Sequence, residues 1–107
     1  MPLTTKQRKH LRALAHELDP VVRIGKGRIS DPVTAETVRS LESHELIKVR
    51  IEADDGDVRR NLAAELADLT GSELVGTIGK IAILYREREE DPSIRLPGAD
   101  SVQTQGT

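Results

Sequence analysis

Gly25-Lys26-Gly27-Arg28 is the stretch of this chain whose residue types and spacing could do chemistry, and that chemistry is anion binding. Glycine reaches backbone angles closed to other residues and lets a second backbone or a phosphate come close. Lys26 and Arg28 add two cations to the N–H groups of the turn. Asp31 is a good helix N-cap and Pro32 a good first helical residue, so a helix start follows at once and its dipole favours negative charge. The alternative is a strand–helix connection that uses glycine only to turn and points its cations at water.

Other constellations fail on spacing. Gly71-Ser-Glu-Leu-Val-Gly76 has the glycines of a phosphate loop but continues Thr77-Ile78 instead of Lys-Ser/Thr. Gly25-Lys26-Gly27 lacks the third glycine of a dinucleotide fingerprint. Asp54-Asp55-Gly56-Asp57 lacks the alternating ligands and distal glutamate of a calcium loop and reads as a helix cap. His10, His16 and His44 show no metal-ligand spacing, and the absence of cysteine removes thiolate sites, cysteine nucleophiles and disulfides. No catalytic residue, metal or cofactor is expected. A single Tyr with no Phe or Trp leaves no stacking platform, so nucleic acid could be held only through phosphates, helix ends and cations.

The elements that must position the loop follow from periodicity. Thr4-x-x-Gln7 has capping-box spacing. Leu11, Leu14, Ala15 and Leu18 then make one helical stripe, which puts Lys6, Arg8, Lys9 and Arg12 mostly on the opposite, solvent-facing side. Asp19-Pro20 stops that helix. Val21 to Ile24 reads as a buried strand leading into the loop. A second helix is expected from Asp31 to Ser43, with Val33, Thr37, Val38 and Leu41 inward. Ile47, Val49 and Ile51 alternate with Lys48 and Arg50 in a half-buried strand. A third helix over residues 58–70 would turn Val58, Leu62, Leu66 and Leu69 inward and end at Gly71. Glu73–Ile78 and Ile81–Tyr85 form a hairpin around Gly79-Lys80, with Tyr85 as a core residue at a strand end. The order α-β-α-β-α-β-β predicts an α/β fold with a mixed four-stranded sheet packed with helices. Two β-α-β connections would give parallel strand pairs.

A length of 107 residues, 36% hydrophobic and 32% charged, suits one domain. No apolar run approaches the roughly 18 residues of a membrane span, and the start lacks a secretory core, so a cytoplasmic protein is expected. The net charge of −2 hides an asymmetry. Residues 1–28 carry seven cations against two acids, net +5, and the rest carries nine against sixteen, net −7. A basic end on an acidic body suits a polyanion-binding face, although charge runs are also ordinary solvated surface.

Four pieces carry a family resemblance: Thr5-Lys-Gln-Arg-Lys-His-Leu-Arg-Ala-Leu-Ala-His16, Pro20-Val-Val-Arg-Ile-Gly25, His44-Glu-Leu-Ile-Lys-Val49 and Ile78-Gly-Lys-Ile-Ala-Ile-Leu-Tyr-Arg86. In this order and spacing they resemble the YhbY-like, or CRM-domain, RNA-binding proteins over about residues 3–97, with Ile94-Arg-Leu-Pro97 included. The resemblance implies a CRM domain over residues 1–97 of the stand-alone bacterial type. It implies a fold similar to the C-terminal domain of translation initiation factor 3, RNA binding, and association with precursors of the large ribosomal subunit. Residues 98–107 are expected to form a disordered polar tail.

The family's GxxG loop, likened to the KH-domain clamp on a nucleic-acid backbone, falls on Gly25, Lys26, Gly27 and Arg28. Arg28 stands where the second glycine is expected; its guanidinium could grip a phosphate bidentately. Lys6, Arg8, Lys9 and Arg12 carry over as an accompanying cationic ridge. Lys48, Arg50 and Lys80 are read as structural. The expectation is a monomer that binds ribosomal RNA and touches no membrane. The competing expectation is a protein-interaction adaptor whose acidic segments, Asp54–Asp57 and Glu87–Asp91, meet basic ribosomal proteins.

Overall fold

Capping residues set where the three helices begin. The computed structural model describes residues 3–25 and 28–98; Lys26, Gly27 and all but the first residue of the expected tail lie outside the described residues. The elements are α1 (Thr5–Ala15), β1 (Pro20–Ile24), α2 (Asp31–His44), β2 (Leu46–Ile51), α3 (Gly56–Thr70), β3 (Glu73–Ile78) and β4 (Ile81–Tyr85). Thr4 and Gln7 close the expected capping box: the Gln7 N–H donates to Thr4 Oγ1 and the Thr4 N–H to Gln7 Oε1, both at 3.0 Å. The cap of α2 is Ser30, one residue before the expected Asp31, and its hydroxyl accepts from the Val33 N–H at 3.3 Å. Asp31 instead sits in the first turn, where its charge faces the positive helix end. Asp55 caps α3 through the N–H groups of Asp57 and Val58. Gly71 ends that helix with φ +67°, a left-handed angle suited to glycine.

The strands form one mixed sheet in the order β1-β2-β4-β3. β1 runs parallel to β2, and β4 pairs antiparallel with both β2 and β3. The expectation of two adjacent parallel pairs therefore holds once. β2 and β3 point the same way, but β4 is inserted between them. The reason is burial. Ala82, Ile83, Leu84 and Tyr85 are all buried, which suits an interior strand, whereas β3 carries Glu73, Thr77 and the exposed Ile78 and suits an edge.

Helices cover both faces. On one side α2 and α3 bury Leu41, Leu62, Ala63, Leu66 and Ala67 against Val22, Ile24, Ile47, Val49, Ile51, Ala82 and Leu84. On the other, α1 buries Leu11 and Ala15 against Leu46, Val75, Ile83 and Tyr85, with Leu3, Ile94 and Leu96 packed alongside. The expected stripes are narrower than four residues. Leu14 stays 43% exposed beside the buried Leu11 and Ala15, and Leu18, 38% exposed, lies beyond the end of α1 at Ala15, where the chain must straighten before Pro20. Val58 and Leu69 are likewise exposed, and Ala63, Ala67 and Thr70 take their place on the inner face of α3.

A buried acid holds the chain after β4 against the α1 side. Glu45, fully buried, joins α2 to β2 with φ +65°, a strained angle for a non-glycine residue. Its N–H donates to the Leu41 carbonyl and its own carbonyl accepts from the Arg86 N–H, each at 2.8 Å. Its carboxylate accepts from the N–H groups of Arg88, Ser93 and Ile94 and from the Ser93 hydroxyl at 2.7–3.0 Å. Burial pushes the Glu45 pKa up, but these donors together outweigh it and hold it below the ordinary 4.5. A carboxyl with a lowered native pKa stabilises the fold fully above its unfolded pKa and loses that contribution as pH falls through its native value. Glu45→Gln is therefore expected to cost about 2–3 kcal/mol at pH 7. In urea melts, the gap between variant and wild type should shrink as pH drops below the ordinary glutamate range; a pH-independent gap would contradict the assignment.

Candidate nucleic-acid interface

The loop that could bind an anion leaves the sheet at the C-terminal end of β1, an edge strand. Ile24 anchors it in the core, and its carbonyl accepts from the Glu52 N–H at 3.0 Å. Gly25 does not use the freedom expected of it: its φ is outside the left-handed region, and a Cβ built there would meet nothing within 4 Å. Among the described residues nothing demands glycine at this position, which leaves room for close approach by something from outside. Arg28 is exposed three residues further on, just ahead of the Ser30 cap.

The four cations expected on α1 divide into two kinds. Lys6 and Lys9 are exposed, as the helical spacing predicts. Arg8 is instead turned onto the opposite edge strand. The register of β3 against β4 slips between Leu74 and Gly76, a bulge that leaves the local backbone short of partners. The Arg8 guanidinium donates to the carbonyls of Leu74 and, at 3.2 Å, Val75. Arg12 lies over the same strand, and a Cβ on Gly76 would come within 3.3 Å of its guanidinium. Arg8 therefore holds the first turns of α1 near the start of β3, whereas the loop leaves the end of β1: opposite edges, themselves three strand spacings or about 14 Å apart, and opposite ends of the strands.

The residues between them were read as structural from the sequence. Alternation puts Arg23 of β1 and Lys48 and Arg50 of β2 on the α1 side of the sheet, since Val22, Ile24, Ile47, Val49 and Ile51 face α2 and α3. Arg23 and Arg50 are direct cross-strand partners. Their side chains remain 70% and 41% exposed, because α1 packs on β2, β4 and β3 and leaves this end of the face uncovered. Lys48 Nζ reaches the His16 carbonyl at 3.5 Å. Lys80 fits its structural reading better, pairing with Asp54 at 3.7 Å. Arg23, one of the seven cations of residues 1–28, alternates with Val22 and Ile24 just as Lys48 and Arg50 do with their neighbours, the signal that puts it on the same face. Tyr85 is buried, and its phenol is pushed up to about 12 by burial and by the charges of Glu87 and Glu45, so it offers no stacking surface.

A family model described as the CRS1 / YhbY (CRM) domain matches residues 3–86, which span all three helices and all four strands. The chain belongs to the CRM-domain family. The Probable RNA-binding protein YqeI of Bacillus subtilis is 38% identical over 95 residues, 89% of this chain and 99% of that one. A protein of Haemophilus influenzae named RNA-binding protein is 40% identical over the same length, 89% of this chain and 95% of that one. The solution structure of SAV1595 from Staphylococcus aureus, described as a candidate RNA-binding protein, matches with a TM-score of 0.81 at 43% identity. That likeness covers 89% of this chain and 99% of that one. These bacterial relatives consist almost wholly of this one CRM domain, which places the chain with the stand-alone bacterial type.

Within this CRM domain Arg8 is a structural cation. Arg8→Ala should cost about 1–3 kcal/mol by leaving bulge carbonyls of β3 unpaired, while Lys6→Ala and Lys9→Ala should stay within about 0.5 kcal/mol. Denaturant unfolding of the three variants checks this. Equal stability of all three would return Arg8 to the solvent-facing ridge.

Proposed function

We propose that this CRM domain binds ribosomal RNA through its phosphate backbone and acts on precursors of the large ribosomal subunit in the cytoplasm, as a monomer. The observation that carries the reading is Gly25: a glycine that neither its backbone angle nor crowding by the described residues requires, in a loop that also holds Lys26 and Arg28. Family membership and the names of the relatives support RNA as the polyanion. In this reading the N–H groups around Gly25 lie close to one backbone segment, and Lys26 and Arg28 neutralise its phosphates. Lys6 and Lys9 extend the field from the other edge of the domain. With Tyr85 buried and no other aromatic residue, bases have no platform to stack on, which favours a structured RNA read by shape and phosphate position.

The adaptor reading draws less support. Its acidic turn is already engaged within the chain: Asp54 with Lys80, Asp55 as the α3 cap and Asp57 with Arg60.

The test is a salt series of binding to structured ribosomal RNA fragments. Affinity should fall steeply with salt, and Lys26→Ala/Arg28→Ala should weaken binding and flatten the slope of log K against log salt by roughly 1.4–1.8, two phosphate contacts at about 0.7–0.9 each. Gly25→Ala should weaken binding while leaving thermal stability unchanged. Wild-type binding without a salt slope would contradict the phosphate-backbone model, and absence of RNA binding would return the adaptor reading to first place.

A further inference from the structure

The loop leaves the edge of the sheet that α1 does not cover, and the strands beside it carry cations on the α1 side. Two cross-strand rows lie towards the loop end of this face, and α1 leaves the outer one open. One is Ile78–Ile81–Arg50–Arg23, running from edge to edge through successive partners. The other, Gly76–Ile83–Lys48, is covered by α1 at Ile83, which is buried with Leu11 and Ala15, and the Arg12 guanidinium lies over Gly76. Neighbouring strands are about 4.8 Å apart and side chains on one face about 6.6 Å apart along a strand. Lys48, Arg50 and Arg23 thus form a cationic patch on β2 and β1 that ends where β1 enters the glycine loop, with Arg12 set apart over β3.

One acid sits in this patch. Glu52 Oε2 lies 3.1 Å from Arg50 Nε and 3.4 Å from Arg23 Nε, so a single carboxylate oxygen is shared by two guanidinium groups. Guanidinium forks fit carboxylate and phosphate alike, each through paired N–H donors. Arg23 and Arg50 stay 70% and 41% exposed while Glu52 is 23% exposed, so the arginines remain within reach of a phosphate that competes with the carboxylate.

We propose that Arg23 and Arg50 form a second phosphate-binding site on the open end of the sheet, occupied by the Glu52 carboxylate in the free protein and by a backbone phosphate of the bound RNA. The site rests on the RNA-binding reading and extends it: RNA would run from the loop over Arg23 and Arg50 towards Lys48. Glu52 would lower affinity at this site and bias it towards a ligand whose phosphate reaches both arginines at once.

Binding of a structured ribosomal RNA fragment between 50 and 200 mM salt tests it, with Arg23→Gln/Arg50→Gln, Glu52→Gln and Lys26→Ala/Arg28→Ala beside the wild type and circular dichroism on each. Each phosphate contact accounts for about a threefold loss of affinity over that salt range. The arginine pair variant should bind more weakly with a slope shallower by about one to two contacts. Glu52→Gln should bind at least about threefold more tightly at low salt with a steeper slope, a gain that no loss of folding can imitate. If the loop variant loses affinity while the arginine pair variant and Glu52→Gln both match the wild type, the sheet site is wrong and the RNA-binding reading stands. If the wild type binds no RNA, both fall.

Discussion

β2 has only two faces to divide its side chains between, and both halves of this molecule depend on that division. Ile47, Val49 and Ile51 go to the α2 and α3 side and make the centre of the larger core, so Lys48 and Arg50 must go to the other. β1, paired in parallel beside it, repeats the pattern with Val22 and Ile24 against Arg23. A slip of one residue would bury cations and expose the core together, so the hydrophobic side fixes the position of the charged side. The core and the cationic patch are two consequences of one register.

Why the patch is open follows from what covers the rest of that face. α1 is short, and its only buried residues are Leu11 and Ala15, so it cannot span four strands. Its partner in covering the sheet is the chain beyond β4, which Glu45 ties down through four hydrogen bonds and which brings Ile94 and Leu96 against the smaller core. Both lie towards the start of β2 and the end of β4. The other end of the face is left to Ile78 and Ile81 on β3 and β4 and, beside the loop, to Arg50, Arg23 and Lys48 on β2 and β1. A strained, buried acid at the α2–β2 junction thus takes part in deciding which end of the sheet is covered.

Much of this was legible in the sequence because it is local. The capping box at Thr4, the glycine stop at Gly71, the β3–β4 hairpin and the alternation in β2 each depend on residues a few positions apart. The unbroken apolar run over β4 also held the clue to its interior place in the sheet, through burial on both faces, although the pairing of β-α-β units pointed elsewhere. What was not legible depends on distant partners. Arg8 reads as one more cation on a ridge until a bulge sixty-six residues away offers it carbonyls. Arg59 and Arg88 are likewise taken up by carbonyls, of Ala53, Asp54 and Gly79 and of Ser43 and Asp91, which no charge count distinguishes from free surface. Glu45 reads as a turn residue, and its donors lie more than forty positions along the chain. The candidate site was legible as a loop but not as a surface, because the cations beside it become neighbours only through strand pairing.

The central claim is that RNA meets this domain along the loop and the open end of the sheet. Amide chemical shifts of the isotope-labelled protein, followed while a structured ribosomal RNA fragment is added, test it most directly. The account predicts shifts at Arg23, Gly25, Arg28, Lys48 and Arg50, with the outer turns of α3 and the segment held by Glu45 unmoved. Shifts confined to α3 or to residues 86–98, with the loop and β1 silent, would contradict it.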